Sequence, residues 1–197
     1  MMKGIDVSDN NGAVDWQAVA DSGVEFAMVA CSYGKTGRHD RFVENVNGAH
    51  AVGLKVGAFH YSYALTPDDA LLEVKNCRAA IDEAGVLLEL PIFFDMEDAD
   101  GWKADHEFDF SQRNVNAICK NFIDNIGLDC GVYASLSWLQ SLIDWKSLKR
   151  AVWNAEWIDP GEDPGDHSDG DSIRGYMWQY TNKLMINGRE FDGDILY

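Results

Sequence analysis

The sequence predicts an α/β fold: a parallel barrel of five β–α units followed by three strands joined by loops. Three observations carry that expectation. Apolar, strand-like runs alternate five times with stretches of helical period before Arg150. Those strands are nearly continuous in apolar residues, as strands covered on both faces must be. After Arg150 the helical period stops, yet strand-like runs continue in AVWNAEW, RGYMWQY and FDGDILY. Eight strands are enough to close an irregular, TIM-like barrel. An open doubly wound sheet is the alternative, but no G-x-G-x-x-G loop follows the first strand, so its phosphate-binding signature is missing.

Taken in order, KGIDVS reads as the first strand, and NNGAVDW as a turn into a helix ending near Ser22. EFAMVACSY is a buried strand, and RFVENVNGAHAVG a helix that stops near Gly53. LKVGAFHYSY is the third strand. Thr66-Pro67-Asp68-Asp69 is a strong helix start: a capping hydroxyl, Pro in the first turn, then two acids at the positive end of the helix dipole. That helix runs to about Glu83, with Gly85 as its stop. LPIFFDME is the fourth strand. Ser111 caps a helix that carries Val115, Ile118, Cys119, Phe122, Ile123 and Ile126 on one face. CGVYAS and LSWLQSLI complete the fifth unit. The segment IDPGEDPGDHSDGD is Pro, Gly and Asp, and reads as a solvated acidic loop; it does not match the calcium pattern D-x-[DN]-x-[DN]-G.

A chain of 197 residues is expected to form one domain, residues 1–197. Sixteen Lys and Arg against 33 Asp and Glu give a net charge of −17, too little positive charge to build a nucleic-acid face or to adhere to anionic membranes. No run approaches the roughly 18 apolar residues of a membrane span. The start MMKGIDVSDNNG lacks the apolar stretch of a signal peptide, which points to a phage-type or other export route, or to a trimmed leader. Cys31, Cys77, Cys119 and Cys130 form no C-x-x-C pair and read as buried free thiols.

The chemistry concentrates in PIFFDMEDADGW. Three apolar residues run directly into Asp95, Glu97, Asp98 and Asp100. In a parallel barrel, active sites lie at the carboxyl ends of the strands. Asp6 occupies such an end on the first strand, Asp95 and Glu97 on the fourth, Asp192 on the last, while His60, Tyr61 and Tyr63 finish the third. Positions i and i+2 of a strand share a face, about 6.5–7 Å apart. Asp95 and Glu97 therefore point into one pocket and Met96 points away. Crowded carboxylates raise at least one pKa, which yields the acid-plus-base split of glycoside hydrolysis. Asp98 is expected on the opposite face and Asp100 in the turn. A D-x-E by itself is more often solvated surface; its place at the end of an apolar strand is what singles this one out.

GIDVSDNNGAVDW, GAFHYSYA, PIFFDMEDADG, GVYAS, AVWNAEW and MWQYT…FDGDILY, in this order, resemble glycoside hydrolase family 25, the muramidases of phage endolysins and bacterial autolysins. The resemblance implies an irregular barrel of five helices and eight strands. It also implies cleavage of the β-1,4 bond between N-acetylmuramic acid and N-acetylglucosamine in peptidoglycan, on the outer side of the bacterial cell. By the same resemblance Glu97 is the general acid and Asp95 its partner, which stabilises positive charge or orients the substrate's acetamido group. Asp6 is a tuning acid on the pocket floor. Asp192 aligns with the fourth acid, with Asp194 as its rival. Tyr61, Tyr133, Trp153 and Trp178 fall at strand ends in the matching motifs and are the candidates for the saccharide cleft. Trp16, Trp138 and Trp145 lie in helical contexts and read as core, and His60 as a hydrogen-bonded structural histidine. No cofactor and no bound metal are implied.

Two other classes compete. A metal-dependent polysaccharide deacetylase would use Asp6, Asp95, Asp192 and His60 as ligands, though no H-x-x-x-H pair is present. A non-catalytic glycan-binding module would have no need of both Asp95 and Glu97. The D-x-x-D-x-D-x-E run of chitinase-like barrels is missing.

Overall fold

The computed structural model describes residues 1–159, 162–166 and 173–197. Most of the acidic stretch GEDPGDHSDGD lies outside the described residues. The five β–α units run from β1 (Met2–Val7) and α1 (Trp16–Asp21), through β2 (Phe26–Tyr33), a two-residue β3 (Gly37–Arg38) and α2 (Phe42–Ala51), to β4 (Lys55–Tyr61) and α3 (Pro67–Ala84). They continue with β5 (Ile92–Asp95), a one-turn α4 (Trp102–Asp105) and α5 (Gln112–Asn125), then β6 (Cys130–Ser135), α6 (Leu136–Ser141) and a short α7 (Trp145–Leu148). β7 (Val152–Ala155), β8 (Met177–Ile186) and β9 (Arg189–Leu196) follow. No helix among the described residues is long and apolar enough to cross a membrane.

The helix ends behave as their sequences require. Thr66 accepts a hydrogen bond from the Asp69 backbone N–H while the Asp69 carboxylate accepts from Thr66, and Gly85 closes α3 in the left-handed conformation at φ 61°. Ser111 caps α5 by accepting from the Asn114 N–H at 3.2 Å.

The barrel is closed, which excludes the open sheet. β1 pairs with β2, and the order β1-β9-β8-β7-β6-β5-β4-β2 returns to the start, with β3 appended to β2. Strands β1 to β8 pair in parallel around the barrel, apart from the appended β3. The last strand is different: β9 runs antiparallel to both β8 and β1. Asn187 and Gly188, at φ 49° and 77°, make the tight turn between β8 and β9. Asn-Gly is the sequence signal for a hairpin turn whose two central residues both take positive φ. It also explains why β8 extends to Ile186, well past the MWQY motif.

Each strand splits its side chains between two layers. Ile5, Val7, Ala27, Val29, Val56, Ala58, Ile92, Phe94, Met96 and Val132 join the helices in an outer core. Phe26, Met28, Phe93, Trp153, Met177 and Leu196 fill the barrel. Gly4 faces the interior opposite Phe26, and an added Cβ would sit 2.2 Å from the Phe26 ring. The missing side chain is thus the space that the ring occupies. Gly4→Ala is expected to destabilise the fold by roughly 1–3 kcal/mol through overpacking. An unchanged urea midpoint would show that the barrel floor has slack that these contacts deny.

The four cysteines are free and buried. Trp16 lies in the core, and Trp138 and Trp145 pack against it. His60 is fully buried in the outer layer, hydrogen-bonded to Ser32 Oγ at 2.8 Å and stacked on Phe122, with ring centroids 5.2 Å apart. It therefore cannot join the acids inside the barrel as a metal ligand.

Candidate active site

The apolar barrel filling gives way to acids at the carboxyl ends of β1 and β5; Asp192 does not end its strand as expected but lies in the first half of β9, which reaches the same mouth because it runs antiparallel. There the sheet opens into a cleft of about 690 Å³, lined by Asp6, Tyr61, Asp95, Glu97, Tyr133, Trp153, Gln179 and Asp192 among others. Its outer walls come from the Ser8–Asn11 turn after β1, from Tyr33, His39 and Tyr63, and from Asp100.

Alternation brings Asp95 and Glu97 together. Phe93 belongs to the barrel filling, while Ile92, Phe94 and Met96 belong to the outer core. The pattern survives past the end of β5 because the Met96 N–H still donates to Tyr133 O at 2.9 Å. Asp95 is 4% exposed and its Oδ1 has no hydrogen-bond partner. Burial drives its pKa well above the usual carboxylate range, with the charge of Glu97 adding to the effect and Lys103 opposing it. Glu97 is more open. Burial pushes its carboxyl up to about 7, against the pull of Lys103 and with the help of Asp192.

Asp6 and Asp192 face each other across the β1–β9 pair, and Asp194 lies opposite Gly4, two residues deeper. Both aspartates of FDGDILY thus point inward at different depths. Asp192 reaches the cleft. Asp194 is fully buried and accepts from Trp153 Nε1 at 2.9 Å. Burial and then the neighbouring Asp194 and Asp192 raise the Asp6 carboxyl well above its ordinary value. Gln179 Nε2 donates to Asp6 Oδ2 at 2.8 Å, and Gln179 Oε1 accepts from Tyr133 Oη at 3.1 Å and from Trp157 Nε1 at 2.9 Å. This amide links the deepest acid to the rim, and nothing local in MWQYT marks it for that role.

The aromatic candidates separate. Tyr61 and Tyr133 line the cleft. Trp153 lines it too, but it is 1% exposed and packed edge-on by Phe59, Phe93 and Tyr133, so it forms the floor and presents no open face to a sugar ring. Trp178 does not reach the cleft. Met177 and Gln179 take the inward positions of β8, and Trp178 points outward, donating to Glu156 O at 2.7 Å and packing beside Tyr180. The open aromatic wall is instead Tyr33, Tyr61 and Tyr63, with the Tyr61 and Tyr63 centroids 5.1 Å apart.

Asp98 turns away from the cleft. Its carboxylate accepts the N–H groups of Lys103 and Ala104 at 2.7 and 3.1 Å and so starts α4. Asp100 lies in the turn, as expected, and it also lines the cleft and accepts from Tyr63 Oη at 2.7 Å. Lys103, unmarked in the sequence, is the one buried cation of the described residues, at 1% exposure.

A closed barrel with a carboxylate pair at its carboxyl-end mouth, set in an open aromatic cleft, has the form of a carbohydrate-cleaving barrel. The family model for glycosyl hydrolases family 25 matches residues 5–189, and the chain belongs to that family. A curated relative, an autolytic lysozyme of Clostridium acetobutylicum, is 28% identical over 95% of this chain, which spans 58% of that relative's length. Among solved structures, the modular autolysin LytC of Streptococcus pneumoniae in complex with a synthetic peptidoglycan ligand superposes with a TM-score of 0.81 at 23% identity, covering all of this chain and 46% of that one. A family 25 glycosyl hydrolase of Bacillus anthracis superposes at 0.73 with 19% identity, over all of this chain and 89% of that one. These two likenesses establish the fold.

Proposed function

We propose that this chain is the catalytic domain of a peptidoglycan hydrolase, an N-acetylmuramidase that cleaves the β-1,4 bond between N-acetylmuramic acid and N-acetylglucosamine in the bacterial cell wall. The observation that carries the reading is the Asp95–Glu97 pair: two carboxyls on one strand face, in one cleft, one enclosed and one open. Family membership and the similarity to an autolytic lysozyme support the substrate.

Glu97 is the general acid. A carboxyl raised to about 7 still holds its proton near neutrality and can give it to the departing glycosidic oxygen. Asp95 faces the sugar carbon on which positive charge develops, and stabilises that charge or orients the acetamido group that attacks it. Burial alone favours a neutral Asp95. The ammonium of Lys103 and the developing positive centre both favour its charged form. Asp6 and Asp192 set the field around the pair, and Gln179 holds Asp6 in place. Tyr33, Tyr61 and Tyr63 offer stacking surface to the glycan, with Tyr133 beneath them.

Mass spectrometry of fragments from digested walls tests the reading. New reducing ends on muramic acid are expected. Reducing ends on glucosamine, or walls left with their glycan strands intact, would overturn it.

A further inference from the structure

Lys103 is the feature of the cleft that the acid pair alone does not explain. It leaves the one-turn helix α4 and runs inward, so that its Nζ donates to the backbone oxygen of Glu97 at 2.5 Å and to that of Ser62. Ser62 N in turn donates to Asp95 O at 3.0 Å. The ammonium therefore ties the residue after β4 to the residue that carries the acid, and it stands 5.5 and 5.8 Å from the ring centres of Tyr61 and Tyr63. A buried ammonium is costly to keep and is retained where anions surround it. The charged and titratable groups around it are Asp95, Glu97, Asp98 and Asp100 from the β5–α4 segment, Tyr61 and Tyr63 from the end of β4, Glu73 from α3 and Cys119 from α5. Glu73 is otherwise engaged: it accepts from Ser62 Oγ and from Tyr63 N at 2.8 and 2.7 Å. Asp98 is engaged in capping α4. Asp95 Oδ1 is buried without a hydrogen-bond partner.

We propose that Lys103 is a positioning residue for the reaction: it pins the backbone of Glu97 so that the acid points into the cleft, and it places a buried positive charge at the base of the acid pair. The inference rests on the muramidase reading above. Burial lowers the Lys103 pKa, and Asp95, Glu73, Asp98 and Glu97 oppose that shift by favouring the ammonium.

The test is a pH–rate profile on purified walls for the wild type, Lys103→Met and Lys103→Gln. Losing a positive charge raises the pKa of both acids. The acid limb, where the first of the pair ionises, and the basic limb, where the second loses its proton, should both move up by about one pH unit. The glutamine variant keeps a donor for the two carbonyls, so a moved profile with much of the wild-type maximal rate separates charge from anchoring. A merely structural lysine would lower the melting temperature and the rate at every pH with both limbs unmoved, and that result overturns the proposal. If neither variant folds, wild-type protein carrying 13C at lysine Cε decides. The Lys103 signal should shift at the midpoint of Glu97 titration, and a flat signal overturns the proposal. That measurement needs no activity, so an enzyme inactive on walls would sink the muramidase reading and leave the Lys103 outcome legible.

Discussion

Glu97→Gln should give a folded protein that binds wall glycan and barely cleaves it. The amide keeps the shape of the side chain and removes the proton that the leaving oxygen needs. General acid catalysis is worth roughly 10²–10⁴-fold, or about 3–5 kcal/mol of barrier, so the loss should fall on kcat and leave KM nearly unchanged. Stability adds an independent check. In the folded protein Glu97 titrates at about 7, above its ordinary value of 4.5. The folded state therefore binds the proton more tightly than the unfolded chain. The stability gained from that is complete below the unfolded value and is lost as pH rises through about 7. Glutamine has no charge to desolvate, so the variant should be at least as heat-stable as the wild type at pH 8. A variant with ordinary turnover would remove Glu97 from the chemistry.

Asp95→Asn is the second large effect, and it also tests which acid holds the proton. The variant loses the carboxylate facing the developing positive charge, and a fall in kcat of roughly 10²-fold or more is expected. Repulsion between two carboxylates is mutual, and its effect falls on the one that ionises second. If Asp95 is charged while Glu97 is still protonated, removing Asp95 lowers the pKa of Glu97. The basic limb of the residual activity should then move to lower pH. An unmoved basic limb would mean that Asp95 keeps its proton throughout and that its role is steric. Asp98→Asn serves as the control for the strand face, since Asp98 starts α4 and lies away from the cleft. It should keep most activity. Asp100 cannot serve that purpose, because it lines the cleft and holds Tyr63.

What the sequence by itself determined follows from short-range periodicity. The five β–α units, the capped helices α3 and α5 and the eight barrel strands are legible because apolar runs of strand length, the two-residue repeat of strand side chains and the helical period of 3.6 are all local to consecutive residues. The shared face of Asp95 and Glu97 follows from the same period, with Met96 between them as the proof in the outer core. What only the tertiary structure decided depends on closure and on depth. Asp192 and Asp194 have the same parity, so no local pattern ranks them; the β1–β9 register places one opposite Asp6 and the other opposite Gly4. Trp178 shares its strand with an inward Gln179, and which parity faces inward is set by the neighbours that β8 meets on closure. Lys103 sits in DGWKADHE with no spacing to mark it, because its partners, the carbonyls of Ser62 and Glu97, end two different strands. Backbone carbonyls leave no trace in side-chain identity, so a buried cation that recognises them becomes visible only when the barrel has brought those strand ends together.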